Sequence, residues 1–499
     1  MVKVGNGGLS MKKRFGTFIC LCLVLAVLLA PRAFAADIVA SGYCGGEGDG
    51  TNLTWTLDSE GTLTISGEGK MADYAFKDNS RIVNVIVETN VTSISDNAFF
   101  NCASLTDIII SDTVVSIGKF AFSDCISLVN VSLPADVTII EAGAFFYCRS
   151  MVEITIPDNV TSIGEGAFAY CRLLEEIVIP KSVTSIGEGA FAHCKSLVNI
   201  VVSEKNTNYV SLDGALYSKD LGELICCPAG RKSSFLISEQ TASIANQAFE
   251  GCMSLTEVSI PDSVLFIGNR AFYCCTSLLG VTIPEGVTVI NKMTFSMCDS
   301  LKQIIIPDGI TVIGEGTFSM CDALRQVIIS TGVTVIGNAA FESCPSLGSI
   351  KFEGDAPRVD DYSFSDTSVT AYYPADNPTW TEDKLQNYGG ALTWVPYTED
   401  MIYHTRFSFE SIPQAEFDIK ITVTRLGESA DDVAMIAMYS PEGQFLEMTV
   451  WELSNETAQT YTLSRDNTDG KIGQIKVFIL DSLSNPIPLA EGAEIASDT

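Results

Sequence analysis

The stretch Leu173–Cys194 reads LLEEIVIPKSVTSIGEGAFAHC, and its pattern recurs along most of the chain. It can be written L-x-x-I-x-I-P, then x-x-V-T-x-I-G-x-x-A-F-x-x-C. The first part alternates apolar and exposed positions, as a short strand does. Pro157, Pro180, Pro261, Pro284 and Pro307 end that strand, because proline has no N–H to continue a ladder. The V-T-x-I segment reads as a second short extended piece. A glycine then allows a turn, and A-F-x-x-C is expected to form a tight helical turn.

Working outward, two columns keep one phase. Phe76, Phe99, Phe122, Phe145, Phe168 and Phe191 stand 23 residues apart, and Phe249, Phe272, Phe295, Phe318, Phe341 and Phe364 resume the step. The gap from Phe191 to Phe249 is 58 residues, so one irregular segment interrupts the array. Three residues behind ten of these phenylalanines run Cys102, Cys125, Cys148, Cys171 and Cys194, then Cys252, Cys275, Cys298, Cys321 and Cys344. One unit is too small to bury its own apolar side chains. Stacking successive coils buries them against their equivalents, so the expected architecture is a mostly β solenoid with short helical turns.

The motif SVTSIGEGAFAHCKSL (Ser182–Leu197) resembles the BspA-like leucine-rich repeat family of bacterial surface and secreted proteins. The resemblance covers roughly residues 76–365 and implies a right-handed leucine-rich-repeat solenoid. Cys44–Tyr74 resembles the N-terminal β cap common in that family, and Val210–Gly230 the irregular hairpin coil that often interrupts its arrays. Pro378–Trp394 resembles the closing element. The expected organisation is a signal segment over 1–35, a β cap over 36–75 and a solenoid over 76–375 with its irregular coil at about 203–234. A C-terminal cap or linker spans 376–400, and a β-sandwich module spans 401–499. In that module FDIKITVT, DVAMIAMYSPEGQFLEMTVWEL, TYTLSR and IGQIKVFILD alternate as strands joined by turns. MYSPEGQFLEM and KVFILDSLSNPIPL resemble a β module appended to many secreted proteins of Gram-positive bacteria, although a Trp commonly stands there where this chain has Leu480. That resemblance implies an accessory or spacer role.

The beginning of the chain reads as an export signal. Lys12, Lys13 and Arg14 precede an apolar run from Phe15 to Ala30, and Ala33-Phe34-Ala35 offers a small-residue cleavage pattern. A membrane anchor is the competing reading, but the run is near the lower limit for spanning and a cleavage site follows it. The chain is therefore expected to be secreted, in the medium or associated with the cell surface, with no membrane insertion after cleavage. The formal net charge is −31, and losing residues 1–35, with five basic residues and no acidic one, takes it to −36. Such a charge disfavours nucleic acid and anionic lipid and favours cationic partners.

Catalytic spacing is lacking. The two histidines, His193 and His404, have no partner at metal-ligand or triad spacing, and His193 falls in a slot read as a surface position of the turn. Gly164-Glu165-Gly166, Gly187-Glu188-Gly189 and Gly314-Glu315-Gly316 repeat with the coil, so they are turns, and their glutamates form an acidic edge open to solvent or to Ca²⁺. Of 16 cysteines, 14 lie beyond residue 35. Ten occupy the repeat column, where a small apolar residue packs. Distance alone does not exclude disulfides between coils. Cys226-Cys227 and Cys274-Cys275 are adjacent pairs whose second members were candidates to face outward.

The face of the first strand, concave in the resembled family, is the expected binding surface. One outward slot holds Asp107, Asn130, Glu153, Glu176, Asn199, Glu257, Gly280, Gln303, Gln326 and Ser349, and the next includes Thr155 and Thr282. Strand preference alone also explains Thr, Ile and Val there. The expectation is a monomeric, non-enzymatic scaffold without cofactor, binding an extracellular protein or glycan. A carbohydrate-binding or accessory subunit of extracellular hydrolases is the alternative. Thiol titration of the denatured, unreduced protein should find the array cysteines free. Few free thiols would overturn their structural role.

Overall fold

The computed structural model describes residues 36–397, together with the backbone of seven strands between 404 and 496. The expected signal segment lies outside the described residues. Among those residues the regular structure is strand throughout, except for one short 3-10 helix at Glu382–Lys384.

Each coil contributes three parallel lines of hydrogen bonding. The first is the long strand, as in Asn84–Val87, Asp107–Ile110 and Asn130–Ser132, whose ladder partners are offset by one repeat: Asn84 faces Asp107, and Asp107 faces Asn130. The second is the V-T-x-I segment, reduced to two-residue strands such as Ser162–Ile163 and Ser185–Ile186. The third is the A-F-x-x-C segment, and here the structure corrects the helical expectation. Alternate N–H groups point to the next coil: Asn97 N to Lys119 O, Phe99 N to Ala121 O and Asn101 N to Ser123 O, each at 2.8 Å. The groups between them close turns within the coil, Phe100 N to Asn97 O and Cys102 N to Phe99 O, both at 3.1 Å. Two residues four apart take left-handed backbone in each coil, for example Gly143 with Tyr147 and Gly189 with His193. A right-handed helix does not accommodate that alternation.

The side chains follow the same repeat. Phe99 and Phe122 stack with ring centroids 5.4 Å apart and planes 3° off parallel, and the stack runs on in the same way to Phe191 and again from Phe249 to Phe364. Apart from Cys252, whose thiol turns to Cys227 O after the interruption, each column cysteine donates its thiol to the phenylalanine carbonyl of the coil before it, as Cys125 Sγ does to Phe99 O and Cys148 Sγ to Phe122 O, both at 3.1 Å. In the last coil Thr367 takes the cysteine's place and donates Oγ1 to Phe341 O at 2.7 Å. Gly187 sits where coils approach closely: a Cβ there would lie 2.3 Å from the backbone N of Glu165.

The ends are closed differently. Three antiparallel strands, Ile38–Tyr43, Leu53–Asp58 and Thr62–Gly67, precede the first coil, and the last of them pairs in parallel with Asn84–Val87. Trp55 meets Phe76 edge-on at 5.8 Å and so covers the first ring of the stack. At the other end Phe352, Trp380 and Trp394 cluster, and Trp380 donates its indole N–H to Gly354 O at 3.1 Å.

The interruption lies inside the array. Tyr209–Leu212 and Ala215–Ser218 form a hairpin, and Glu223–Cys226 extends it before pairing in parallel with Ser243–Ile244. Leu216 packs into the core of the first coils, whereas Ala215 and Tyr217 pack into that of the later ones. Side chains of a strand alternate between faces, so this one strand is a wall between two cores. Beyond residue 400, His404–Phe407, Glu416–Thr424 and Ala458–Asp466 form one antiparallel sheet, and Val433–Tyr439, Phe445–Glu452, Gln474–Leu480 and Pro488–Ala496 form another.

The thiol column makes a stability prediction. Cys148→Thr keeps a donor for Phe122 O, whereas Cys148→Val has the same shape and none. Urea denaturation should find the Thr variant more stable by about 1 kcal/mol, the net worth of a buried hydrogen bond. Equal stabilities would mean that the column acts by packing alone.

Candidate functional site

The long strands place most of the expected binding residues in register. Asp107, Asn130 and Glu153 are consecutive ladder partners, and Glu176 pairs with Asn199. All five are exposed, as are Thr155, Glu257 and Thr282. Beside them stand Ile109, Val178 and Val201, which are 66%, 50% and 38% exposed. The face therefore combines carboxylates and amides with solvent-facing aliphatic groups, which suits both polar pairing and apolar contact. Asn199 and Glu257 are not neighbours, since the hairpin and the strand Ser233–Leu236 stand between them, and Ser234 pairs with Glu257.

Two residues of the expected column are buried. Gln326 and Ser349 continue the register but are buried, and Gln326 Nε2 and Ser349 Oγ have no hydrogen-bond partner. Alternation determines from which side of the sheet a side chain leaves, not what stands over it. Ser349 is short and flanked in the ladder by Gln326 and Thr370. Gln303 holds the expected ladder position, next to Gln326.

The interruption creates two further features. A cleft of about 290 Å³ opens beside the hairpin and is lined by Glu188, Tyr209, Glu223, Asn246, Gln247 and Phe266, among others. Asn246 Nδ2 donates to Glu188 Oε1 at 2.8 Å across it. Burial, assisted by Asp220, raises the Glu223 carboxyl above the ordinary glutamate range.

On the turn side, His193 is buried, contrary to the surface position expected for it. Its ring stacks on Tyr170 at 4.2 Å, and Nε2 lies 3.2 Å from Glu250 Oε1. Glu250 also pairs with Arg270 at 2.8 Å, and the Arg270 guanidinium stands 4.1 Å from the Tyr273 ring. The equivalent position in the next coil is Gly251, where a Cβ would lie 2.4 Å from His193 Nδ1. The missing side chain leaves the room that the imidazole fills. A 23-residue period alone could not reveal this pairing, because His193 and Glu250 are 57 residues apart.

The described cysteines are free and, apart from Cys274, buried. Burial pushes the Cys102 and Cys171 thiols up to about 12. The adjacent pairs differ from expectation: Cys226, Cys227 and Cys275 are buried, and Cys274, a first member, is half-buried. It stands directly before the column cysteine Cys275, in left-handed backbone. The turn glutamates stand on one edge, but the row is not acidic throughout: Asn246, Asn269 and Lys292 stand between Glu188 and Glu315, Glu188 accepts from Asn246, and Glu315 pairs with Lys292 at 2.9 Å. Among the described residues no group of three or more His, Cys, Asp or Glu is placed to hold a metal ion, and no helix is long and apolar enough to cross a membrane. The side chain of His404 lies outside the described residues.

Residues 69–211 and 242–371 match the BspA type leucine rich repeat region, in six copies. The chain belongs to this family. The two matched blocks flank the hairpin that the structure places between the two cores. Among solved structures, a leucine-rich repeat protein from Eubacterium ventriosum is 25% identical, with a TM-score of 0.58 over 70% of this chain and 99% of that one. A leucine rich cell surface protein from Faecalibacterium prausnitzii is 31% identical, with a TM-score of 0.51 over 64% of this chain and 97% of its own. The pneumococcal vaccine antigen PcpA is 19% identical, with a TM-score of 0.56 over 71% and 100%, and shares the fold. No curated protein matches the sequence. A stacked array of this family is a scaffold for protein interaction.

In the folded protein, Cys274 should be the first described thiol to take up a maleimide. Burial and the charge of Asp299 raise its pKa, so the rate should climb as pH rises. Peptide mapping after a short pulse checks this, and Cys274→Ser should abolish the early label. Early label on a column cysteine instead would contradict the closed core.

Proposed function

We propose that the chain is an exported interaction scaffold that works at or near the bacterial surface and contacts host or neighbouring-cell macromolecules through its long-strand face. The observation that carries this reading is the exposed, in-register set of Asp107, Asn130, Glu153, Glu176 and Asn199 beside Ile109, Val178 and Val201. Carboxylates one coil apart offer a line of acceptors, and the aliphatic groups supply desolvated contact between them. A cationic extracellular protein is the partner this chemistry suits, in keeping with the net charge of −31.

The basic and apolar start of the chain supports export, and the cell-surface description of the Faecalibacterium relative supports the location. The two C-terminal sheets are proposed to pack as a sandwich that acts as a spacer or accessory module. No catalytic chemistry is needed for this role.

The test is a binding screen of the full chain against extracellular matrix proteins, with a glycan array in parallel. Charge reversal of Glu153, Glu176 and Glu257 together should weaken a captured protein partner by about tenfold or more, which corresponds to about 1.4 kcal/mol. Undiminished binding by the triple variant, or binding to glycans alone, would remove the long-strand face from this role.

A further inference from the structure

The turn face of the solenoid changes sign along its length. Directly after the column cysteines stand Arg149, Arg172 and Lys195 in three successive coils, and Asp299 and Asp322 in two later ones. Directly before them stand Tyr147 and Tyr170 in the first group, Met297 and Met320 in the second. The coils remain in sequence across the interruption on this face, because His193 N donates to Glu250 O.

Within one chain, like charges are left side by side. The Arg149 and Arg172 guanidinium carbons lie 4.0 and 5.8 Å from the same Tyr147 ring. Neither arginine, nor Lys195, has a carboxylate within salt-bridge distance among the described residues. Arg149 Nε and Arg172 Nε are buried without a hydrogen-bond partner. Asp299 and Asp322 are both exposed and stand one coil apart, and partial desolvation, followed by the second carboxylate, raises the first one's pKa.

The two halves are mirror-matched about the coil that contains Cys252. Arg172 lies two coils before it and Asp299 two coils after it. Arg149 lies three before and Asp322 three after. A two-fold axis at that coil, lying in the plane of the contact and perpendicular to the solenoid axis, lays one copy antiparallel on another, turn face to turn face. It sets Arg172 against Asp299, Arg149 against Asp322, Tyr170 against Met297 and Tyr147 against Met320, each twice. Such a contact is self-complementary and closed. Arginine stacked on tyrosine presents a fixed fork to a carboxylate, and methionine against an aromatic ring is a favourable apolar contact. Gly251, at the centre, has no side chain, and the His193 imidazole that takes its room is buried.

We propose that two copies of this chain associate antiparallel through their turn faces, with Arg149 and Arg172 of each copy meeting Asp322 and Asp299 of the other. The contact spans seven coils, about 30 Å at strand spacing. It is distinct from the long-strand face, which stays open on both copies. The net charge of −31 opposes any approach of two copies. Local opposite charge must overcome it, so the association is weak and sensitive to salt.

Sedimentation velocity of the full chain at about 100 µM, above the micromolar dissociation constants of weak interfaces, tests this. The wild type should sediment as a dimer. A variant carrying R149E and R172E should be monomeric, and so should one carrying D299R and D322R, each with an unchanged circular dichroism spectrum. Mixing the two variants should restore a one-to-one dimer, since each then offers what the other lacks. Charge reversal at Glu153, Glu176 and Glu257 should leave the dimer intact, which separates this contact from the ligand face. A monomeric wild type, or two reversed variants that fail to pair when mixed, would overturn the proposal.

Discussion

Half of the backbone N–H groups in each turn segment find their acceptor in the next coil, and everything else in the array depends on that. Asn97, Phe99 and Asn101 donate outward, while Phe100 and Cys102 close turns behind them. A neighbouring coil out of phase would bury the outward set without acceptors, at a cost of several kcal/mol. Each coil therefore requires a neighbour of the same length and phase. The stacked phenylalanines and the thiol-to-carbonyl bonds follow from the same translation. A residue that fits one coil fits them all, and burial keeps the thiols protonated so that they can donate.

The same dependence makes ends and breaks the sites of invention. At the start, an antiparallel meander turns parallel at Thr62–Gly67 and lays Trp55 on the first phenylalanine ring. Aromatic rings at Phe352, Trp380 and Trp394 finish the other end. In the middle, a hairpin strand shows Leu216 to one core and Tyr217 to the other, so two arrays share one wall. The cleft and the His193–Glu250–Arg270 cluster both lie at this break. Strict repetition would have placed small or equivalent side chains there. The interruption brings together residues of unlike kind.

Function then lies in the positions that repetition leaves free. Core positions are nearly invariant from coil to coil, because each must match its neighbours above and below. Outward positions carry no such demand. Columns of charge form there because residues one repeat apart become neighbours, as Asp107, Asn130 and Glu153 do on the strand side. On the turn side Arg149 and Arg172 meet over Tyr147 for the same reason. A 23-residue spacing between two arginines is the signal that would have drawn attention to this row in the sequence.

From the sequence alone the solenoid, its period, its interruption and its cysteine column are legible, because translation makes sequence distance equal spatial distance. The outward direction of Glu153 and Glu176 follows in the same way from strand alternation. Three things had to come from the tertiary structure. The turn segments are not helical, since their conformation is set by hydrogen bonds to the adjacent coil rather than by local preference. Gln326 and Ser349 are buried, since alternation gives a direction and not a covering. His193 is inside with Glu250, since that pair forms across the one place where the repeat is broken and the period ceases to predict neighbours.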